Sequence, residues 1–563
     1  SVLCRDSHQA SSSSLSATVF ANFFDSKVND IRAATEGVPP PTFVDATVQF
    51  PLRAFQTLDP GDVIRLVKDA PAKQCDLDPL PMWLLKDSID LLAPYITHLF
   101  NTSLTTGCVP DVFKVAHVTP LLKKSGLAND APENYRPVSN LSVLSKILER
   151  AVSHQLESYL QSNGLLPHHQ SAYRKGHSTE TALVKVCSDL ISSMDHGHYA
   201  LLALLDLSAA FDTVDHAILL ERLSRSFAVR EDVLAWLQSY LSGRYYIVRH
   251  GGTESTKRST PFGVPQGSVL GPLLFILYTA DLGRVAERHG VCSHFYADDS
   301  QLYISAKPPD TDDAEQRLSA CLDAIACWMA SNRLKLNPLK TDFMWCATHR
   351  RQQQLVRHPL TFAGVTVTPS ATVRDLGVVL DSEMSFGPHI NQLVSRCFFQ
   401  LRRIKSCVKA LPPDAAKAVI NSFVVSRVDY CNSLFAGAPG YQLDRLQSVL
   451  NAAARLIYGL GKFDHIQNVL RDRLHWLPVP QRIRFKLCLL AYKAVHGQAP
   501  RYLTDFCQPV SSVDARRKLR SASRGDLVVP PTATNFGQRS FSVAAPMAWN
   551  RLPENIRDSQ SVD

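Results

Sequence analysis

The chain has 563 residues, 45% of them apolar, which is more than one hydrophobic core holds, so two to four domains or subdomains are expected. Sixty Lys and Arg against 51 Asp and Glu leave a formal charge of +9, compatible with a polyanionic partner without proving one. No signal peptide and no bilayer-length apolar run is read, and thirteen cysteines without a Cys-x-x-Cys pair argue for a reducing intracellular compartment and against structural zinc.

The first residue is Ser1 and the first methionine Met82, so the chain is expected to be a piece of a longer reading frame. Residues 1–110 read as an extension and linker. They hold the serine run Ser11-Ser12-Ser13-Ser14, the stiff Pro39-Pro40-Pro41, and a helical spacing through Phe20, Phe23, Phe24, Val28 and Ile31. Val115 to Leu122 predicts a strand, and Ser142 to Gln161 a helix with Leu144, Ile147, Leu148, Val152, Leu156 and Leu160 on one face. Leu201 to Leu205 is apolar on both faces, as a central buried strand is. Helices are expected over Asp212 to Ser224 and Val233 to Leu241. A turn follows at Gly263 to Gly267, opening an apolar helix through Leu270, Leu273, Leu274, Ile276 and Leu277. A hairpin carrying Asp298 and Asp299 comes next, then a helix from Asp313 to Asn332, and a final strand from Val373 to Leu380. Beyond it the pattern is helical and basic: Arg396, Arg402, Arg403, Lys405 and Lys409 have no acid between them. The tail, from Leu477, mixes prolines with the basic run Arg516, Arg517, Lys518 and Arg520, and no role is read for residues 476–563.

Two apolar strands run into carboxylates. Leu201 to Leu205 ends at Asp206, and Phe295-Tyr296-Ala297 ends at Asp298-Asp299. Nucleotide addition needs a hydroxyl made nucleophilic and a triphosphate neutralised at one point. Two Mg²⁺ ions roughly 4 Å apart do both when carboxylates from separate segments bracket them. Asp206, Asp298 and Asp299 are the expected ligands, with the Leu207 carbonyl as a further one. Taken alone, an Asp pair is more often just a polar hairpin tip.

Phe211, five residues past Asp206, suits a ring beneath the sugar of an incoming nucleotide, where it rejects a 2′-hydroxyl; by position alone it reads as a core Phe. In Gly263-Val264-Pro265-Gln266-Gly267-Ser268 the glycines let the backbone approach a ligand closely and a helix N-terminus favours phosphate; Gln266 is placed to bond a nucleotide sugar or the template. Lys123-Lys124 and Arg136 in Asn134-Tyr135-Arg136-Pro137 offer cations for a triphosphate, as do Arg174 and Lys175. Lys340, after Leu336-Asn337-Pro338, suits a general acid to leaving pyrophosphate, or plain surface charge.

Together these residues make the chain resemble the reverse transcriptase of non-LTR retrotransposons (LINE elements), most like the jockey-type branch. Six blocks carry the likeness, in order: Glu133 to Ser139, Gln170 to Gly176, Leu205 to Asp212, Gly263 to Gly271, Phe295 to Asp299, and Leu336 to Thr341. Leu376-Gly377-Val378-Val379-Leu380 resembles the strand that holds the primer end. The resemblance implies an α+β, right-hand polymerase fold: fingers and palm over 111–384, a basic helical thumb over 385–475, and a mostly helical C-terminal region.

It further implies RNA-directed DNA polymerase activity with two Mg²⁺ ions (or Mn²⁺), an RNA template, a DNA primer or nicked target DNA, and dNTPs. Asp206, Asp298 and Asp299 are then the metal ligands, Phe211 the sugar gate, and Gln266 and Gly267 neighbours of the nucleotide. Lys124 and Arg136 are the triphosphate contacts, with Lys123 a close competitor to Lys124. Nuclear and cytoplasmic action is inferred from the family, with no membrane partner. No upstream endonuclease, C-terminal Cys/His knuckle, RNase H or protease signature is read. The competing readings are an RNA-dependent RNA polymerase sharing the palm, and a catalytically silent relic or co-opted RNA-binding protein.

Overall fold

The computed structural model describes residues 15–514 other than 74 and 125, and residues 520–561 other than 558 and 560. The serine run Ser11 to Ser14 and the basic Arg516, Arg517 and Lys518 lie outside the described residues. The fold is mixed α/β, with several sheets and many helices. Among the described residues, no helix is long and apolar enough to cross a membrane. The chain divides into two compact units, each discontinuous in sequence: Ser1–Pro167 with Leu207–Val285 and Ala324–Asn337, and His168–Asp206 with Ala286–Asp323 and Pro338–Asp563.

In the first unit, the expected strand Val115–Leu122 pairs antiparallel with Tyr135–Asn140 and parallel with Tyr245–His250. Helix Ala17–Ala34 packs here because Phe20, Phe24 and Ile31 recur on one face while Ser16 accepts the Val19 amide at its start. Phe20 sits 4.8 Å from both the Tyr135 and His250 rings, a burial that contributes about 2 kcal/mol. Helix Val143–Ser162 starts after its Ser142 cap, within a residue of expectation. The helix expected from Asp212 begins instead at His216, where Asp215 caps it by accepting the Ile218 amide. Asp212 lies in the turn before, its amide donating to the Ala209 carbonyl, and Ala209 has φ +51. Helix Leu270–Tyr278 is buried along its whole length, which explains its continuous apolar sequence.

In the second unit, a four-stranded antiparallel sheet runs in the order Asp342–Cys346, Tyr199–Leu205, Asp299–Ala306, Cys292–Tyr296. The inner strand Tyr199–Leu205 buries both faces, as its sequence requires. Helix Thr179–Asp195 supplies Leu183, Val186, Cys187 and Leu190 to the core shared with this sheet's Ala200, Leu202 and Met344.

The single strand expected over Val373 to Leu380 is instead a hairpin of Thr372–Asp375 and Val378–Asp381, with Val373 opposite Leu380. Leu376 (φ +42) and Gly377 (φ +88) turn the chain between them. The reversal is hidden in the sequence because both arms bury the same kind of side chain, Val373, Val378 and Leu380, and the turn has no Asn or Asp to mark it. Helix Gly387–Cys407 then exposes Arg396, Arg402, Arg403 and Lys405 to solvent. Its Leu393, Val394 and Leu401 join the same core as Leu503, Phe541 and Trp549 from the C-terminal region.

Candidate active site

The carboxylates come together in the second unit through strand register. Leu205, the last residue of its strand, lies opposite Ser300, so Asp206 leaves the sheet beside Asp299. Across the hairpin Tyr296 pairs with Asp299, which leaves Ala297 and Asp298 as a two-residue turn. Ala297 takes φ +58, a conformation that costs a residue with a Cβ about 1 kcal/mol. Gln170 holds it there: its Oε1 accepts the Ala297 amide at 3.0 Å, and its Nε2 approaches the Ala297 carbonyl at 3.5 Å. Residues 169–171 run parallel beside the hairpin, the Phe295 amide donating to the His169 carbonyl and the Ser171 amide to the Phe295 carbonyl.

Three like charges meet at this point. Burial, then the neighbouring charges of Asp298 and Asp206, push the Asp299 carboxyl up to about 6. Asp298 is raised as well, mainly by burial and further by Asp206. The Lys340 ammonium stands 3.2 Å from Asp206 Oδ2, so Lys340 is brought to the cluster from the short turn Pro338–Lys340. One exposed ammonium beside three carboxylates leaves excess negative charge. An all-oxygen donor set of this kind fits a hard divalent cation. Tyr173, with φ +57, borders the same carboxylates; burial of its hydroxyl end and then the Asp298 charge raise its phenol.

The first unit holds Leu207, Phe211, Gln266, Gly267, Lys124 and Arg136. Leu207 opens a two-residue strand paired with Leu336. Phe211 is half-buried and stacks on Phe275, centroids 4.4 Å apart, so its ring is packed as a core Phe on one side. The turn after Gly263 is fixed against residues 211–214: the Gly263 amide donates to the Val214 carbonyl and the Val264 amide to the Phe211 carbonyl, both at 2.8 Å. A Cβ on Gly263 would meet the Asp212 backbone at 2.7 Å. Gln266 donates its Nε2 to both Asp212 oxygens, at 2.8 and 2.9 Å. Burial pushes the Asp212 carboxyl up to about 6, with the Gln266 bond opposing the shift.

Gly267, at φ +126, is crowded by the Ser139 carbonyl oxygen, so its missing side chain makes room for the protein's own strand. The start of helix Leu270–Tyr278, expected to favour phosphate, is already filled. The buried Glu149 accepts the Val269 and Leu270 amides at 2.7 and 3.0 Å, and Ser268 Oγ accepts the Gly271 amide. Glu149 was missed from sequence because it lies 120 residues away on another helix.

The strands Val115–Leu122 and Tyr135–Asn140 set Leu121 opposite Arg136, which puts the exposed Lys124 and Arg136 at one end of that hairpin. Lys123 instead donates to the Glu133 carbonyl at 2.7 Å. Arg174 donates to the Gln170 carbonyl at 2.9 Å, a brace for its own loop, while Lys175 is exposed. In the second unit Asp312, Glu315 and His358 place ligand atoms within 4.8 Å of one another, but Asp312 and Glu315 lie at the start of helix Thr311–Ser331, where acids are ordinary.

Comparison with known proteins gives a concordant result. Residues 122–378, the segment that holds the carboxylates, match the family described as reverse transcriptase (RNA-dependent DNA polymerase). Families of this kind use divalent metal ions and act on nucleic acid and nucleotides. Among curated proteins, the chain is 28% identical over 468 residues to the "Probable RNA-directed DNA polymerase from transposon BS" of Drosophila melanogaster, covering 81% of this chain and 51% of that one. It is 28% identical over 333 residues to the RNA-directed DNA polymerase from mobile element jockey of the same species, covering 58% and 35%. It is 26% identical over 303 residues to the retrovirus-related Pol polyprotein from type-1 retrotransposable element R1 of Bradysia coprophila, covering 52% and 28%. The chain spans about half the length of the first of these relatives and less of the others. The likeness to transposon reverse transcriptases drawn from the six sequence blocks therefore extends over 52–81% of the chain in these comparisons.

Proposed function

We propose that this chain is the RNA-directed DNA polymerase of a non-LTR retrotransposon, adding dNTPs to a DNA primer 3′-end on an RNA template. The observation that carries the reading is the register that sets Asp206 beside the Asp298-Asp299 turn, inside a reverse transcriptase domain. Two Mg²⁺ ions, with Mn²⁺ as substitute, would lower the pKa of the primer hydroxyl and neutralise the triphosphate when bound. Asp206, Asp298 and Asp299 would hold them, with the Leu207 carbonyl beside Asp206 in sequence.

The side chains supply the rest. Lys340, 3.2 Å from Asp206, is set to give a proton to the departing pyrophosphate. Lys124 and Arg136 grip the triphosphate, Arg136 through its planar fork. Phe211, backed by Phe275, forms a rigid wall against a 2′-hydroxyl. Gln266, pinned by Asp212, presents its remaining amide oxygen toward the nucleotide, and Gly267 keeps that turn close to its own strand.

In the right-hand description, 111–384 serve as fingers and palm, 385–475 as thumb, and 1–110 as an extension. Arg396, Arg402, Arg403 and Lys405 hold the template–primer hybrid by its backbone. The Leu376-Gly377 turn and the strand after it steady the primer end. Action in the nucleus, after synthesis in the cytoplasm, completes the proposal.

The experiment is primer extension on poly(rA)/oligo(dT) with Mg²⁺, offering dTTP or UTP. Extension with dTTP alone supports the reading, and Phe211→Val should admit UTP. Extension by wild type with UTP as readily as dTTP would move the assignment to an RNA polymerase. Hybrid binding without extension would favour the silent relic.

A further inference from the structure

The C-terminal region has no part in the reading above, yet it reaches the loop that holds the catalytic turn. Tyr502, in the short helix Arg501–Thr504, is buried among Ser171, Thr181 and His294. Its hydroxyl lies 2.8 Å from Ser171 Oγ and donates to Thr181 Oγ1 at 3.0 Å. Ser171 Oγ in turn lies 2.9 Å from His294 Nε2, and Thr181 Oγ1 donates to the Ser178 carbonyl at 2.9 Å.

One assignment of protons satisfies the row. Because Tyr502 donates to Thr181, Ser171 donates to Tyr502 and His294 Nε2–H donates to Ser171. That tautomer leaves His294 Nδ1 as a bare acceptor, and Nδ1 is the ring nitrogen that has no partner. The row therefore runs one way, from the catalytic hairpin's strand to the start of helix Thr179–Asp195. A tyrosine hydroxyl is its middle link.

Ser171 is not a remote anchor. Its amide bonds Phe295, and the residue before it, Gln170, clips Ala297 next to Asp298. A second contact from the same C-terminal stretch closes the other end of this loop. Gly176, at φ +78, has a missing side chain whose Cβ would lie 2.8 Å from the Gln498 carbonyl oxygen. Residues 498–502 thus cover both ends of the Gln170–Gly176 segment.

We infer that Tyr502 is a positioning residue for the catalytic turn, acting through Ser171 and Gln170 to fix where Ala297 and Asp298 sit. The consequence for catalysis rests on the polymerase reading, while the consequence for the turn's rigidity does not.

The test uses the full chain and two readouts. Tyr502→Phe keeps the ring and removes only the hydroxyl; Trp549→Phe, equally buried in the same region but without a bond to this loop, is the control. By hydrogen exchange, Tyr502→Phe should speed exchange of the Ala297 amide about tenfold, the scale of one lost buried hydrogen bond, and leave residues 541–550 unchanged. By primer extension it should lower kcat about tenfold with KM for the hybrid unchanged, and combine less than additively with Gln170→Ala. Trp549→Phe should do neither. Unchanged exchange at residues 295–300 in Tyr502→Phe, or a rise shared equally by the whole unit, overturns the inference. If wild type extends no primer yet the local exchange effect appears, the polymerase reading fails and the positioning role stands.

Discussion

Two groups of aspartate, both met in short motifs, are treated in opposite ways by the fold. In the first unit Asp212 has both oxygens bonded by the Gln266 amide, and the pair acts as a strut for the Gly263–Gly267 turn. In the second unit Asp298 and Asp299 stand by Asp206; burial raises both carboxyls, the Asp206 charge adds to each, and the Asp298 charge adds to Asp299. A carboxylate whose lone pairs are filled by its own chain is finished as a structure. A carboxylate that faces other carboxylates keeps charge to be balanced, and on this difference rests the proposal that one group binds cations while the other supports a turn.

The largest effect is expected where the comparison is broken outright. Asp206→Ala should cut primer extension by about 10³-fold, with hybrid affinity preserved, whereas Asp212→Asn should keep the Mg²⁺ dependence of wild type. Extension titrated against Mg²⁺ compares the two. Next comes Lys340→Ala, which should lower kcat about 10²-fold in single-turnover assays; Lys340→Arg should restore the ion pair with Asp206 and little of the rate.

On the structural side, Gly267→Ala should destabilise the chain by about 2–4 kcal/mol in urea unfolding, since its Cβ would collide with the Ser139 carbonyl at a positive φ. The smallest effect is the pH dependence of Asp212. Its folded pKa of about 6 stands above the ordinary 3.8, so in that window the folded chain keeps a proton the unfolded chain has released. Its contribution to stability is whole below 3.8 and is lost as pH rises through 6. Wild type should lose about 1–3 kcal/mol across that range relative to Asp212→Asn, as chemical denaturation at stepped pH would reveal.

The parts of the site that sequence made legible were those in which a local pattern carries the chemistry. An apolar strand ending at Asp206 and a hairpin tipped by Asp298-Asp299 announce their elements and the strand ends that bring the carboxylates together. Gln170 gave no such signal: its clip on Ala297 joins residues 127 apart, and a glutamine in a loop has no periodicity to betray it. Glu149 was invisible for the same reason, and its occupation of the helix start at Val269 removes a phosphate site that local sequence suggested. The glycines suggest close approach to a ligand, whereas Gly263 and Gly267 approach the protein's own backbone. The hairpin over Thr372–Asp381 reads as one strand because its turn, Leu376-Gly377, carries no Asn or Asp to mark a reversal.

The most direct measurement is primer extension by wild type and by the Asp298→Ala, Asp299→Ala double variant, with hybrid binding by fluorescence anisotropy on the same preparations. The carboxylate cluster as cation site predicts extension by wild type, its loss in the double variant, and hybrid affinities that agree within about threefold. Extension surviving in the double variant, with binding intact in both, would contradict it.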